Sequence, residues 1–328
     1  MRVFVTRRIP EIGLSLMRKY ADVRVWPHTV PPTRDQIIRE SRGCQAIVTL
    51  LTDQIDRNVI ESIEGLKAIV QYAAGVDNID IQAATEKGII VTNTPGALTE
   101  ATADLTWALI LAACRRVVEA DRAVRSGEWK VAWEPTAFLG TDIHGATLGI
   151  VGMGRIGAAV ARRSVGFRMK VLYYSRSDTD VSRAIEREVG ATRVTLDMLL
   201  SNSDIVTVHV PLTPQTRHMI GREQLRMMRP GSVFINTSRG AVVDERALEE
   251  ALLSGHIGAA GLDVFEKEPI PVNSRLVSMR NVVLLPHIGS ATHATRNRMA
   301  EMCALNLAAI AEGKTPPNIV NPGTVRGQ

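Results

Sequence analysis

The chain has 328 residues, of which 45% are apolar and 22% are charged. This length favours two domains, and the composition excludes intrinsic disorder and the collagen-like and disulfide-framework classes. The net charge of +5 comes from 39 basic and 34 acidic residues. The densest basic run, Arg115 to Arg125, is interleaved with Glu119 and Asp121, which is typical of a solvated helix face. We therefore expect no nucleic-acid partner.

The start of the chain and its cysteines bear on compartment and metal binding. Met1 to Gly13 has no apolar core or small-residue cleavage site of a secretory signal. The longest apolar stretch, Trp107–Cys114, is far shorter than the roughly 20 residues that span a bilayer. Cys44, Cys114 and Cys303 are odd in number, and no pair is spaced for zinc or a disulfide framework. These features predict a cytoplasmic protein with no membrane partner and no metal.

Short β-branched runs alternate with helical patterns through the first third of the chain. The predicted strands are Val3–Val5, Val23–Trp26, Ala46–Leu51, Ala68–Tyr72 and Ile89–Thr92. This alternation favours a parallel sheet with helices on both faces. After Pro95 and Gly96 the pattern changes to one long predicted helix, Thr99 to Arg125, which is apolar enough to be an inter-domain or inter-subunit helix.

A second strand series begins after that helix. The predicted strands are Thr147–Gly152, Lys170–Tyr174, Ile205–Val210, Val233–Thr237, Ala260–Val264 and Val282–Leu285. Six strands match the count of a doubly wound dinucleotide-binding fold. A final helix is predicted over roughly Ala291 to Glu312, where Gly313 and the following prolines end it.

The most informative motif is G-x-G-x-x-G at Gly152, Gly154 and Gly157, between an apolar strand and a helical pattern. The first glycine permits a tight turn, the second lets the backbone approach a pyrophosphate, and the third lets the helix pack closely on the sheet. The helix N-terminus offers free N–H groups to the phosphates. A structural glycine turn is the alternative, but the strand–motif–helix–strand context favours dinucleotide binding.

The turn after Lys170–Tyr174 bears on which dinucleotide binds. A site for NAD usually has a carboxylate here for the ribose 2′-hydroxyl. This chain instead has Ser175, Arg176 and Ser177, and an arginine can pair with a 2′-phosphate. The alternative is that Arg176 is an ordinary surface residue. We therefore predict that NADP(H) is preferred, while Asp178 keeps NAD(H) use possible.

Three chemically useful residues follow late strands: Arg239, Glu268 and His287. Ligands of open α/β sheets bind at such strand ends. An arginine can clamp a substrate carboxylate, a histidine can protonate a carbonyl oxygen, and a carboxylate bonded to that histidine keeps it protonated. Each residue alone is more often structural, so the prediction rests on their joint placement.

These motifs resemble those of the D-isomer-specific 2-hydroxyacid dehydrogenases. The resemblance is carried by Gly152–Gly157, Asn236–Gly240, Gly261–Pro269 and Pro286–Ser290, and it extends over essentially the whole chain. It implies two Rossmann-like or flavodoxin-like doubly wound parallel-sheet domains with a cleft between them. Residues 1–98 and 288–328 are then a discontinuous substrate-binding domain, and residues 99–287 are the dinucleotide-binding domain.

The resemblance also implies residue roles. Arg239 binds the substrate carboxylate, Glu268 supports the histidine, His287 is the acid/base, and Asp263 bonds the nicotinamide carboxamide. The predicted cofactor-binding residues are Gly152, Met153, Gly154, Arg155, Ile156, Gly157, Ser175, Arg176, Ser177, Thr102, Val210, Pro211, Thr237, Ser238, Asp263 and Gly289. The predicted substrate-binding residues are Leu51, Ala74, Gly75, Val76, Arg239, His287 and Trp133.

Within the family, the chain is most similar to the glyoxylate/hydroxypyruvate reductase branch. The segment Trp133–Gly140 resembles that branch's motif, whose tryptophan reaches the partner subunit's pocket, so a homodimer is implied. Trp133 as a core or dimer-contact aromatic is the alternative, and Leu51 could equally belong to the core.

The sequence thus predicts an NADP(H)-preferring enzyme that reduces glyoxylate, and hydroxypyruvate as well, by hydride transfer with His287 as proton donor. The alternatives are a 3-phosphoglycerate or D-lactate type of dehydrogenase and a non-catalytic dinucleotide-sensing scaffold. A phosphorylated substrate calls for extra basic residues, and the loops around Leu51 and Ala74 contain none. A scaffold calls for docking extensions that the sequence lacks.

Overall fold

The computed structural model describes residues 1–324 and divides the chain into two compact units. The first unit joins Met1–Leu98 to the segment that starts at Ser290, and the second is Thr99–Gly289. The chain thus returns to the first unit after Gly289. The sequence prediction placed this boundary after His287. No helix in the described part of the chain is long and apolar enough to cross a membrane.

Parallel strands form one sheet in each unit. The strands are β1 (Arg2–Val5), β2 (Asp22–Val25), β3 (Ala46–Thr49), β4 (Ala68–Gln71), β5 (Ile90–Thr92), β6 (Thr147–Val151), β7 (Lys170–Tyr174), β8 (Thr192–Arg193), β9 (Ile205–Val208), β10 (Ser232–Asn236), β11 (Ile257–Leu262) and β12 (Val282–Leu284). The first sheet has the order β2-β1-β3-β4-β5, and the second has the order β12-β11-β10-β9-β6-β7-β8. The first is the flavodoxin-like order, and the second is the dinucleotide-fold order with one strand added.

The helices follow the strands in the alternation that the sequence predicts. They are α1 (Glu11–Met17), α2 (Arg34–Glu40), α3 (Arg57–Ser62), α4 (Ile81–Glu86), α5 (Thr99–Cys114), α6 (Val117–Arg125), α7 (Arg155–Ser164), α8 (Asp180–Val189), α9 (Leu196–Asn202), α10 (Arg222–Met227), α11 (Glu245–Leu253), α12 (Arg275–Ser278) and α13 (His293–Ala311). Side chains that accept a backbone N–H start several of them, as Asp80 does for α4 and Asp244 does for α11.

Both sheets are covered on their two faces, which explains their continuous apolar runs. Every residue of β3, β4, β9 and β10 is buried. Strands buried on both faces do not show the alternating pattern of a half-exposed sheet. The α/β class with two doubly wound parallel sheets is therefore confirmed.

The single long helix predicted over Thr99 to Arg125 is wrong, because α5 and α6 are separate helices. Arg116 lies between them with φ of 52°, in the left-handed region. Its guanidinium makes two 2.8 Å hydrogen bonds to the carboxylate of Glu119, which hold this turn. Helix α5 packs inside its own unit, where Trp107 Nε1 donates to the carbonyl of Val160 at 3.0 Å.

The second sheet has seven strands where the sequence predicts six. The missed strand, β8, contains only Thr192 and Arg193 and pairs with β7. Two residues are too few to produce a periodic pattern, so the local sequence does not reveal this strand.

Candidate active site

The glycine motif has the backbone geometry that its spacing predicts. Gly152 has φ of +103°, and a Cβ there would lie 2.8 Å from the backbone of His209. A Cβ on Gly157 would overlap the carbonyl oxygen of Gly152, so this helix–strand contact requires glycine. Gly154 faces open space, and α7 begins at the next residue. A pyrophosphate can therefore approach this backbone, and the residues fit a dinucleotide.

The other residues of this loop differ in exposure. Met153 is buried, Arg155 is exposed and Ile156 is partly buried against the core of the second unit. Gly154 makes no side-chain cap on α7, so the first N–H groups of the helix are available to phosphate oxygens.

The turn after β7 is open to solvent. Ser175 is half-buried, while Arg176 and Ser177 are exposed. No carboxylate lies within this turn; the first one, Asp178, is hydrogen-bonded to Arg183 at 2.8 Å. The side chains nearest the end of β7 are therefore hydroxyls and a guanidinium.

His209 lies at the end of β9, directly before the predicted cofactor residues Val210 and Pro211. Its Nε2 is 2.9 Å from Thr207 Oγ1, and its Nδ1 is buried without a partner among residues 1–324. Burial lowers the pKa of His209 to about 3, so the ring is neutral over the working range of pH. The backbone of His209 lies against Gly152, and its ring is bonded to Thr207 and carries no charge.

Arg239 is presented by a turn that its neighbours hold. Asn236 Nδ2 donates to the carbonyl of Arg239 at 3.0 Å, and Asn236 Oδ1 accepts the N–H of Ser238 at 3.0 Å. The Cβ of any residue larger than glycine at position 240 would overlap the backbone of Phe265. Gly240 thus lets the turn with Arg239 approach the segment that leads to Glu268.

Glu268 and His287 form a hydrogen-bonded pair. The Glu268 Oε2 is 2.7 Å from His287 Nδ1, and the two side chains are 28% and 25% exposed. A carboxylate only accepts, so Nδ1 is the donor and Nε2 remains for a substrate. The second carboxylate oxygen of Glu268 accepts the N–H of Phe265 at 3.1 Å.

Opposing effects determine the charge of Glu268. Burial raises its pKa, but the hydrogen bond to His287, the charge of that ring, the Phe265 N–H and the Arg239 charge outweigh burial. The net result is a Glu268 pKa below its usual value. The carboxylate is therefore ionised at neutral pH and can stabilise an imidazolium.

Asp263 holds the loop that carries His287. Its two carboxylate oxygens accept the N–H groups of Ile288 at 2.7 Å and Gly289 at 2.8 Å. His287 has φ of +56°, a backbone conformation that is unfavourable for residues other than glycine. The Asp263 bonds offset that cost and orient the imidazole. Burial raises the pKa of Asp263 despite these N–H donors.

Two buried threonines of α5 bond the loops that carry predicted cofactor residues. Thr102 Oγ1 donates to the carbonyl of Gly289 at 3.1 Å, and Thr106 Oγ1 is 2.9 Å from Thr237 Oγ1. The predicted residues Thr102, Thr237, Asp263 and Gly289 are therefore joined through α5 to the ends of β10 and β11.

The predicted residues of the first unit lie after β3 and β4. Leu51, Ala74, Gly75 and Val76 are all half-buried. Gln71 Nε2 bonds the carbonyl of Gly75 at 3.3 Å, and Asn93 Nδ2 bonds the carbonyl of Ala74 at 2.7 Å. These amides hold the loop in one shape.

The loops around Leu51 and Ala74 contain no basic residue of their own, but a basic side chain reaches the first of them. Arg7 follows β1, the neighbour of β3 in the sheet, and its guanidinium binds Thr52 Oγ1. Reading each loop by itself missed a residue that the adjacent strand contributes.

Trp133 belongs to an exposed segment after α6. Its side chain is 78% exposed, and Trp129 and Leu139 are 56% and 64% exposed. Trp133 is therefore not a core residue of its own chain.

Several supporting residues were missed by the sequence reasoning, namely Asn236, Gln71 and Asn93. The available signal was an amide side chain at or just beyond the end of an apolar strand, as with Asn236 after Phe234-Ile235. Among residues 1–324 no group of three or more His, Cys, Asp or Glu side chains is placed to hold a metal ion.

Known proteins resemble this chain over nearly its full length. The family model for the D-isomer specific 2-hydroxyacid dehydrogenase, NAD binding domain, matches residues 107–289. A glyoxylate reductase of Korarchaeum cryptofilum is 55% identical over 325 residues, which cover 99% of this chain and 97% of that protein.

Two solved structures share the fold as well. A glyoxylate reductase from Paecilomyes thermophila is 34% identical with a TM-score of 0.87 and covers 98% of each chain. An NADPH-dependent glyoxylate/hydroxypyruvate reductase from Sinorhizobium meliloti, in complex with citrate, is 30% identical with a TM-score of 0.84 and the same coverage. The predicted family is confirmed: the chain belongs to the D-isomer-specific 2-hydroxyacid dehydrogenases, enzymes that use a nicotinamide dinucleotide.

Proposed function

We propose that this enzyme reduces glyoxylate to glycolate, and hydroxypyruvate to D-glycerate, in the cytoplasm, with NADP(H) preferred and NAD(H) accepted. The observation that carries the proposal is the 2.7 Å pair of Glu268 and His287 in the same unit as the turn that presents Arg239. The similarity to proteins named glyoxylate reductase supports this substrate over other 2-keto acids.

Each catalytic residue has one task in this proposal. A nicotinamide dinucleotide held at the glycine loop would supply the hydride that the carbonyl carbon of the substrate takes up. His287 donates a proton from Nε2 to the carbonyl oxygen, while Glu268 accepts from Nδ1 and stabilises the charged ring. The guanidinium of Arg239 clamps the substrate carboxylate and thereby selects the face of the carbonyl that reacts.

The first unit is proposed to be the substrate-binding domain. Among residues 1–324, the N–H groups of Ala74, Gly75 and Val76 donate to no protein acceptor, although their loop is held by side-chain amides. Adjacent free N–H groups are suited to a carboxylate. Leu51 would line the methylene of hydroxypyruvate, and its bulk favours small substrates.

The cofactor preference is proposed from the turn after β7. Arg176 is exposed there, and the turn contributes serine hydroxyls rather than a carboxylate. A guanidinium pairs with a 2′-phosphate by charge-assisted hydrogen bonds that a 2′-hydroxyl cannot match. The glycine loop, Asp263 and the other predicted cofactor residues would bind the parts that NADP(H) and NAD(H) share.

Parallel assays of NADPH and NADH oxidation with glyoxylate, hydroxypyruvate, pyruvate and 3-phosphohydroxypyruvate test this function. We expect the highest kcat/KM with glyoxylate or hydroxypyruvate and NADPH. The variant Arg176→Asp should raise the KM for NADPH by about tenfold or more and leave the KM for NADH much less affected. Turnover of none of the acids would favour the scaffold, and a preference for the phosphorylated acid would refute the substrate assignment.

We also propose a homodimer in which Trp133 contacts the partner subunit. The exposed indoles of Trp129 and Trp133 support this, because large apolar side chains rarely stay in water together. Sedimentation should give twice the chain mass of 35.8 kDa, and Trp133→Ala should raise the KM for the acid. A monomer with full activity would contradict this proposal.

A further inference from the structure

The turn after β7 is held by an arginine of the neighbouring strand β8, which the family motifs do not include. Arg193 lies in β8, where its backbone pairs with Tyr173 of β7. Its Nη2 donates to the carbonyl of Ser175 at 2.8 Å and to the carbonyl of Arg176 at 3.3 Å. One guanidinium therefore binds two successive peptide groups of the turn.

This binding determines which way the turn's N–H groups point. In a trans peptide the C=O and N–H point in opposite directions. With the carbonyls of Ser175 and Arg176 directed at Arg193, the N–H groups of Arg176 and Ser177 point to the other side. Among residues 1–324 these two N–H groups donate to no protein acceptor. Successive free N–H groups of this kind form an anion-binding concavity.

A second arginine controls the nearest carboxylate. Arg183, on α8, binds Asp178 at 2.8 Å through Nη1 and Asp180 at 2.7 Å through Nη2. The other oxygen of Asp178 lies 3.3 Å from Ser182 Oγ, whose single proton also has the Thr179 carbonyl within reach at 2.9 Å. One oxygen of Asp178 is thus engaged by Arg183 on the α8 side, and part of its charge is compensated. A ribose 2′-hydroxyl would have to compete with these partners for Asp178.

We propose that Arg193 and Arg183 are positioning residues for cofactor choice, Arg193 by shaping the turn for a 2′-phosphate and Arg183 by withholding Asp178 from a ribose 2′-hydroxyl. This inference rests on the proposed preference for NADP(H). It assigns the preference to the shape and charge of the whole turn rather than to Arg176 alone. Neither arginine needs to touch the cofactor to act in this way.

The test compares Arg193→Met, Arg193→Lys and Arg183→Met with the unchanged full-length enzyme. Arg162→Met is the matched control, since Arg162 is an exposed arginine of α7 that pairs with Glu188 of α8 at 2.9 Å. The probes are adenosine 2′,5′-bisphosphate and 5′-AMP, with Kd measured by calorimetry. The kcat and KM for NADPH and NADH are measured alongside, and thermal unfolding checks the fold.

Arg193→Met should weaken binding of the 2′,5′-bisphosphate by about tenfold and that of 5′-AMP by less than about twofold, as expected when charge-assisted bonds organise a phosphate site. The KM for NADPH should rise while kcat stays the same, and Arg193→Lys should recover part of the loss. Arg183→Met should lower the KM for NADH by a factor of about three, since Asp178 is released. Arg162→Met should leave the ratio of the affinities for the 2′,5′-bisphosphate and 5′-AMP unchanged.

The possible failures are distinguishable. If the unchanged enzyme binds both probes equally, the proposed NADP(H) preference itself is wrong. If it prefers the bisphosphate but Arg193→Met weakens both probes alike, or neither, only the role of Arg193 is overturned. Should Arg193→Met fail to fold, Arg193→Lys decides. If its ratio of the Kd for 5′-AMP to the Kd for the 2′,5′-bisphosphate equals that of the unchanged enzyme, the inference is overturned.

Discussion

Replacing His287 by alanine should lower kcat for glyoxylate reduction by about a thousandfold, because a positioned general acid contributes roughly 10²–10⁴ in rate. The KM for NADPH should change little, since the imidazole acts on the carbonyl oxygen in this proposal. Steady-state oxidation of NADPH measures both quantities. Near-normal turnover would refute the assignment of His287 as proton donor.

The paired variant Glu268→Gln separates the charge of the carboxylate from its shape. We expect kcat to fall by about tenfold to a hundredfold, because the glutamine oxygen still accepts from Nδ1 but no longer stabilises the imidazolium. The control is Glu249→Gln, on α11. A Glu268→Gln enzyme as active as this control would exclude a catalytic role for the carboxylate.

The pH profile provides an independent check on the same pair. The pKa of Glu268 is lowered in the folded protein, so its carboxylate stays ionised at pH values below its usual titration range and protonates only as pH falls through the lowered pKa. Loss of activity from this group is therefore confined to acid below about pH 4.5. Glu268→Gln should lack that acid limb, and an identical limb in both proteins would assign it to another group.

Replacing Arg239 by glutamine should lower kcat/KM for glyoxylate by about a thousandfold, through both a higher KM and a lower kcat. The reason is that a guanidinium binds a carboxylate by two parallel hydrogen bonds, which supply affinity and orientation together. Arg239→Lys keeps the charge without the planar geometry, so we expect it to lose about a hundredfold. Kinetics with varied glyoxylate at saturating NADPH measure the split between KM and kcat.

An exposed arginine of α11 provides the control for this series. Arg246 is 87% exposed at its side chain and pairs only loosely with Glu250, at 3.6 Å. Arg246→Gln should leave kcat/KM unchanged. If Arg239→Gln behaved in the same way, Arg239 would not be the carboxylate clamp.

Much of the fold could be predicted because local patterns specify it. Gly152 and Gly157 follow from spacing alone, and the structure gives the reason: a positive φ at one and no room for a Cβ at the other. Buried parallel strands show as apolar runs, so the two sheets could be expected before their order was known. The residues Arg239, Glu268 and His287 were identifiable because each follows such a run.

Other features depend on groups that are distant in the sequence. The anchoring of Ile288 and Gly289 by Asp263 joins residues about 25 positions apart, and it exists because β11 and β12 are neighbours. The same is true of the hydrogen bond from Arg193 to the carbonyl of Ser175. It exists because β8 pairs with β7. Arg7 beside Thr52 follows from the pairing of β1 with β3.

The sequence by itself thus determined the strand–helix alternation, the glycine turn and which residues are proposed for the chemistry, because each is encoded within a few neighbouring positions. Only the tertiary structure decided the partner of each polar group, the break at Arg116 and the direction of the turn's N–H groups. Hydrogen bonds are short and directional, so they depend on the order and register of strands that local periodicity does not contain.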